Sequence, residues 1–342
     1  MLKQFTGTYA RRLMWPGLVL VALIVVNIAF TGFGFLTPEI VDGRMSGPFV
    51  TVLRNSVPLL MVALGMTLVI ATKGIDLSVG AVYAIGAAVA VQYLATGSQN
   101  SLGSVLVAIA LGLGVAAVIG AWNGTMVSVF GVQPIIATLI FMIAGRGVAQ
   151  LITGGQIPNV ADSSPFVNLG RGEILSIPLP IIIGVAVCAV LMVATRRTAF
   201  GVLLESVGGN PKASRLAGIR AREMTILVYL ICGLLAGLAG IISAANIGGA
   251  DANNGGLWIE LDAILAVVIG GTALTGGRFY LLGTVFGVVI IKLLEVTIIN
   301  VGLSSQWQFT AKALVVFAVA LLQSPQFRTW LTKPFQKKAV AA

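Results

Sequence analysis

The chain has 342 residues, of which 58% are hydrophobic and only 9% charged. Soluble domains carry about 25% charged residues, so this composition excludes a water-soluble globule and makes lipid the main solvent. The net charge of +10 is spread between apolar runs and not gathered on an amphipathic helix, which argues against nucleic-acid binding and for membrane topology. Histidine is absent. Imidazole acid–base chemistry and the commonest metal ligand are therefore missing, and neither catalytic residues nor a metal site are expected.

A membrane span needs about 20 mostly apolar residues. Ten such runs follow one another: 13–34, 50–72, 77–95, 103–125, 134–153, 178–195, 223–245, 259–275, 280–299 and 306–323. The first follows basic residues, as a signal peptide does, but its apolar run is too long and no small-residue cleavage site clearly ends it. It reads as an uncleaved span. An even number of spans puts both termini on one side. With the N-terminus inside, the inner segments hold Lys3, Arg11, Arg12, Lys73, Arg196, Arg197, Lys212, Arg215, Arg220, Arg222, Arg278, Arg328, Lys333, Lys337 and Lys338. Only Arg44, Arg54 and Arg171 fall outside, while Arg146, Lys292 and Lys312 lie within spans. That bias predicts cytoplasmic termini. The expected fold is an all-α polytopic membrane protein of about ten transmembrane helices. It forms one domain over 1–342, with cytoplasmic tails 1–12 and 324–342 and a large cytoplasmic loop, 196–222.

Between the second and third runs, "KGIDLSVGAV" (73–82) places Lys73 and Asp76 at the inner start of a span. Asp76 suits a helix cap and Lys73 a topology anchor, with gating or subunit contact as the functional alternative. Arg146 lies in "AGRGVAQ" within the fifth span. Flanking glycines leave its guanidinium room to reach backbone carbonyls or a carboxylate, so structural pairing is expected ahead of substrate contact. Cys188 and Cys232 sit inside apolar runs and read as small apolar filler.

The loop 196–222 has a definite local grammar. Val202 to Glu205 favour a short helix that Gly208 and Gly209 stop. Asn210 is a good N-cap, Pro211 suits a first helical position, and Lys212 to Ala217 can form a further helix closed by Gly218 in a left-handed conformation. The plain alternative is a structured connector whose charges hold topology. Beyond it, "GLLAGLAG" (233–240) spaces small residues for helix packing.

"ADANNGGLWIELDAI" (250–264) sets Asp251, Asn253 and Asn254 just outside the seventh span, with Glu260 and Asp262 entering the eighth. Carboxylates and amides at an outer mouth suit the hydroxyls of a polyol, the contacts of a delivering protein, or helix-entry capping. Paired carboxylates for glycoside cleavage do not fit a membrane mouth. The net negative charge here is expected to oppose anions. Lys292 and Glu295, three apart on one helix, should neutralise each other.

Four stretches carry a resemblance to a known family: "GMTLVIATKGIDLSVGAV" (65–82), "IATLIFMIAGRGVAQLITGG" (136–155), "SVGGNPKASRLAGI" (206–219) and "ELDAILAVVIGGTALTGGRF" (260–279). In this order they resemble ATP-binding-cassette sugar permeases, the ribose, xylose and galactose group of the branched-chain amino acid permease superfamily. The stretch 247–264 is most similar to galactofuranose and galactose permeases. The resemblance implies that Glu205, Ser206, Gly208, Gly209, Asn210, Pro211, Ala217 and Gly218 form a coupling loop that docks on cytoplasmic ATPase subunits. Ser206 and Ser214 stand where alanine is common. It also implies a periplasmic sugar-binding protein, a second permease subunit, identical or related, and placement in a bacterial inner membrane. No G-x-x-x-x-G-K-[ST] occurs, so ATP and Mg would be bound by the partners and no cofactor by this chain. The alternatives are a permease for another sugar such as ribose or xylose, one for branched-chain amino acids, and a stand-alone secondary transporter. The last would need inverted repeats and a midplane site, and no convincing repeat is visible.

Overall fold

In the computed structural model, residues 2–41, 43–97 and 101–323 are described. The expected tail 324–342 lies outside them. The elements in chain order are α1 (Leu2–Thr31), a 3-10 turn (Phe33–Phe35), a hairpin of β1 (Glu39–Val41) and β2 (Arg44–Ser46), α2 (Pro48–Ala71), α3 (Val79–Thr96), α4 (Leu102–Ser128) and α5 (Pro134–Thr153). Then come α6 (Asn168–Arg171), a hairpin of β3 (Glu173–Ile174) and β4 (Ile177–Pro178), α7 (Leu179–Arg197), α8 (Ala199–Gly209) and α9 (Pro211–Leu216). The last are α10 (Ala221–Ile247), α11 (Ile259–Ile269), α12 (Leu281–Asn300) and α13 (Trp307–Gln323). The protein is an all-helical, multi-pass membrane protein. Among the described residues, eight helices are long and apolar enough to cross a bilayer: α1 from Met14, α2, α3, α4, α5, α7, α10 and α12.

Two expected spans come out differently. The tenth is α13, whose 17 residues rise about 25 Å, slightly less than the hydrocarbon core. The eighth, read as 259–275, is corrected. Its helix, α11, stops at Ile269 after 11 residues, about 16 Å and half of a ~30 Å core. The reason is glycine packing. Gly270 lies backbone to backbone against Gly283 of α12, and Gly271 takes φ +85°, so the chain leaves the helix there. A run of apolar residues gives no sign of this tertiary contact.

The bundle is built around α10, which packs on α4, α2 and α3. The small residues of 233–240 allow this, as their spacing predicted. A Cβ at Gly86 of α3 would stand 2.9 Å from the Gly237 Cα, and one at Gly233 would stand 3.0 Å from the Gly120 Cα on α4. Such close approach replaces the hydrophobic drive that lipid cannot supply. In their most apolar stretches, α2 and α3 bury 72% of residues against 11% for α1, so the first two are central and α1 is peripheral. Outward-facing Leu106, Val118, Ile140, Ile143, Val185 and Val190 are exposed and present an apolar surface to lipid. Several polar groups inside the bundle pair across helices. Asn27 donates to Thr297 Oγ1 at 2.6 Å and accepts from Asn300 at 2.8 Å, tying α1 to α12, and the Thr67 and Thr284 hydroxyls meet at 2.8 Å. Each such bond in a membrane is worth about 0.6 kcal/mol on average.

One end of the bundle carries α8, α9 and most of the described arginines and lysines, and the other carries both hairpins. The charge bias predicts that the basic end is cytoplasmic. Cys188 and Cys232 are both buried, so single cysteines can report on this directly. Leu175→Cys, at a hairpin tip, is expected to react with an impermeant maleimide on intact cells, and Lys212→Cys only after permeabilisation. Reaction of Lys212→Cys from outside would reverse the orientation.

Candidate functional site

Two regions concentrate unusual chemistry: a junction at the basic end and a polar cavity inside the bundle. The junction follows the predicted grammar closely. Asn210 caps α9, its Oδ1 accepting the Lys212 and Ala213 N–H groups at 3.1 and 3.0 Å. Pro211 opens α9, Ala217 follows its last turn, and Gly218 takes φ +83°. Ser206 Oγ donates back to the Val202 carbonyl at 2.7 Å. Glu205 is half-buried, and Ser214 is buried.

The two glycines that end α8 have opposite roles. Gly209 is exposed with open space around it. Gly208 is buried, and a Cβ there would collide with the Ala71 carbonyl oxygen and stand 2.7 Å from the Gly277 nitrogen. The reading of Gly208 as part of an outward docking surface is therefore corrected. It faces inward, onto the end of α2 and the turn after α11. Gly277 N–H donates to Ala71 O at 2.9 Å, and Lys73 Nζ donates to Gly209 O at 3.0 Å. Lys73 holds φ 66°, a strained value for a residue with a side chain. Three backbone segments thus meet at one point. Arg196 adds a tie, donating to Phe279 O at 3.1 Å with its guanidinium 5.5 Å from that ring's centre.

Asp76 turns the other way. The N-cap position of α3 is Ser78 and not Asp76. The Asp76 carboxylate accepts the Ser78 N–H at 2.9 Å and the Ser78 hydroxyl at 2.5 Å, and Ser78 Oγ also accepts from the Asn123 amide at 2.7 Å. Burial pushes the Asp76 carboxyl up to about 6, with the Ser78 bonds pulling against it. The cluster braces the start of α3 against α4. Asp76 does not line the cavity.

The cavity is formed where the chain returns into the bundle. After α10 ends at Ile247, with Gly248 beside Arg171 and Asp162 at the hairpin end, residues 249–258 continue without forming a helix. Gly256 lies 2.7 Å, measured from its Cβ position, from the Tyr83 ring of α3, and 3.0 Å from the Gly80 carbonyl. Trp258, just before α11, holds φ 64°. Irregular backbone at membrane depth persists only where protein or a water-filled space satisfies it. Here Arg146 does this, donating to the Gly255 carbonyl at 2.6 Å and the Ala252 carbonyl at 3.3 Å. The expectation that Arg146 reaches backbone carbonyls is met. Gln150 holds the segment from the side, donating to Asn253 Oδ1 at 2.9 Å. Asp251 caps the turn through the Asn253 and Asn254 N–H groups and the Asn254 amide, all at 2.9 Å. Burial raises its carboxyl, but these bonds and the Arg146 charge outweigh that and hold it below the ordinary value.

The cavity measures about 400 Å³. Of the five residues expected at the mouth, Asn254 and Asp262 line it. Asp251 and Asn253 shape the segment beside it, and Glu260 is buried against Gly80. Sequence reasoning missed Arg54 and Asn55 of α2, Ser243 and Asn246 of α10, and Lys292 of α12, all of which line it. Arg54, counted among the outer loop residues, lies inside α2. Its Nε is buried without a hydrogen-bond partner. The one available signal was an arginine within an apolar run.

The expected negative mouth is also corrected. Asp262 is paired with Lys312 at 2.7 Å, Lys312 with Glu295 at 2.7 Å, and Lys292 with Glu295 at 2.9 Å. Arg146 interacts electrostatically with Glu260 and Asp251. Asp251, Glu260, Asp262 and Glu295 thus lie among Arg146, Lys292 and Lys312, so the mouth is not the uncompensated negative patch expected.

Comparison with known proteins places these features in context. The family described as branched-chain amino acid transport system / permease component matches residues 49–322. The chain is 46% identical over 327 residues to the galactofuranose transporter permease protein YtfT of Escherichia coli, covering 94% of each chain. It is 40% identical over 334 residues to the fructose import permease protein FruF of Bifidobacterium longum, covering 96% of this chain and 92% of that one. It is 40% identical over 267 residues to the ribose import permease protein RbsC of Escherichia coli, covering 77% and 81%. No solved structure matches.

Proposed function

The chain belongs to the branched-chain amino acid transport system / permease component family, among its ATP-binding-cassette sugar permeases, and on that premise we propose that it carries a monosaccharide of the galactose or galactofuranose type inward across a bacterial inner membrane. Permease subunits of this kind perform no catalysis themselves. In this reading ATP and Mg are bound by cytoplasmic ATPase subunits. A periplasmic binding protein delivers the sugar at the hairpin end, and a second permease, identical or related, completes the pathway.

The observation that carries the ATP-driven reading is the surface of the α8–α9 junction. Leu216 of α9 is 91% exposed and Val202 of α8 68%, and Gly209 between the two helices has open space around it. Large apolar side chains displayed on a polar, basic end mark a protein contact. They stand on a junction fixed from behind by Ala71, Lys73 and Gly277, so a push on them moves the end of α2 and the turn after α11. The small exposed Gly209, Ala213 and Ala217 leave a partner's cleft room to approach the backbone.

Leu216→Asp is expected to abolish co-purification of the ATPase subunits and reduce uptake at least about tenfold, as removal of a buried interface anchor does. The permease itself should stay inserted and monodisperse. Normal uptake would reduce the loop to a connector. The sugar assignment is tested by uptake of labelled D-galactose in cells carrying the complete transporter. Competition by unlabelled galactose, fructose, ribose or xylose supports a sugar, and competition by leucine alone overturns it.

A further inference from the structure

We propose that the cavity inside a single subunit is a binding site for one neutral monosaccharide, so that a pair of permeases carries two such sites in addition to any pathway between them. The inference rests on the sugar-permease reading and deepens it.

A volume of about 400 Å³ falls within the range of about 300–1,000 Å³ typical of small-molecule sites. Left to water, at ~30 Å³ per molecule, it would hold about a dozen. Its lining pairs amides and hydroxyls with apolar surface from Leu59, Pro180 and Ile242. A sugar has the same two faces: hydroxyls that both donate and accept, and C–H groups that do neither. Carboxamides match the hydroxyls because each amide also donates and accepts. Arg54 Nε is buried without a hydrogen-bond partner, while Asn55 is exposed and Asn246 half-buried. These groups come from α2 and α10, with Asn254 facing them from the re-entrant segment. A buried donor without a partner costs about 1–3 kcal/mol, which a ligand acceptor would remove.

The charges also favour a neutral ligand. Asp262 and Lys292, the other charged lining groups, are already paired with Lys312 and Glu295. One guanidinium remains, and it can donate to a ring or hydroxyl oxygen without requiring an anion. The position suits transport as well as binding. The floor of the cavity is the half-helix α11 and the segment before it, and the turn after α11 is bonded to Ala71 beside Gly208. A shift of the α8–α9 junction therefore reaches the cavity floor through one short helix.

The test uses the complete transporter in proteoliposomes with D-galactose, D-fructose and D-ribose, measuring uptake and binding-protein-stimulated ATP hydrolysis separately. Asn246→Leu and Arg54→Gln are expected to lower sugar uptake about tenfold or more, the equivalent of losing one good hydrogen bond. ATP hydrolysis stimulated by the sugar-loaded binding protein should stay within about twofold of the wild type, because neither residue touches the α8–α9 junction. That retained hydrolysis also shows that the variants fold. In addition, free D-galactose should slow modification of Asn254→Cys by a charged thiosulfonate, and leucine should not. Unchanged uptake in both cavity variants, or no protection by any of the three sugars while the wild type transports one, overturns the site and leaves the functional reading intact. Failure of the wild type to import any of the three overturns both.

Discussion

Gly208→Ala is expected to abolish sugar uptake, while Gly209→Ala leaves it within about twofold of the wild type. The two substitutions add the same methyl group to neighbouring residues of one helix end, so helix propensity is common to both. They differ in what the methyl meets. At Gly209 it enters open space. At Gly208 it enters the Ala71 carbonyl oxygen and crowds the Gly277 nitrogen, and these two atoms are hydrogen-bonded to each other at 2.9 Å. Backbone cannot rotate out of the way as a side-chain tip can, so α8 must lift from the end of α2. Forced overpacking of this sort costs typically about 1–3 kcal/mol, and here it also separates the α8–α9 junction from the turn that follows α11. Uptake and ATPase co-purification should be measured together. Gly208→Ala should retain part of its partner binding, since Leu216 and Val202 still face outward, but lose transport. Equal uptake in the two variants would show that the junction transmits nothing.

The second large effect belongs to the ion cluster joining α11, α12 and α13. Lys312 bonds two carboxylates, Asp262 and Glu295, each at 2.7 Å, and its own side chain is only 14% exposed. Removing one member of a buried pair leaves the other charge uncompensated, which costs about 3–5 kcal/mol. Lys312→Met is therefore expected to lower the midpoint of thermal unfolding in detergent sharply and to reduce the yield of monodisperse protein. Glu295 keeps Lys292 at 2.9 Å, so the damage centres on Asp262. The double variant Lys312→Met with Asp262→Asn should recover much of the lost stability, because the contributions of contacting residues are not additive. A double variant no more stable than Lys312→Met alone would contradict the pairing.

The parts of this protein legible in the sequence are those governed by local rules. The helix, turn and cap of 199–218 follow from Gly208, Gly209, Asn210, Pro211 and Gly218, each of which acts on its immediate neighbours. The small-residue run of 233–240 is legible for the same reason. Which atoms a glycine faces is a tertiary matter. Hence Gly208, read as facing a partner, faces Ala71. The eighth span misled because an apolar run of 17 residues looks continuous. The chain is in fact cut at Gly270 by Gly283, a residue of the next helix. A short, glycine-interrupted apolar segment is itself a pointer to a transport site, and Gly255, Gly256, Gly270 and Gly271 carried that signal. The cavity lining was less accessible. Arg54, Asn246 and Lys292 are far apart in sequence, and only the packing of α2, α10 and α12 brings them to one space. The charge sum at 250–264 failed because its neutralising partners, Arg146 and Lys312, come from other helices.

The most direct test of an ATP-driven sugar permease is uptake of labelled D-galactose into proteoliposomes holding the permease and its ATPase subunits. Binding protein is supplied outside, and ATP is either present or absent inside. The account predicts uptake that requires ATP, survives ionophores that collapse ion gradients, and is competed by sugars and not by leucine. Uptake that proceeds without ATP and vanishes when the ion gradient is collapsed would contradict it, because the chain would then work alone as a secondary transporter.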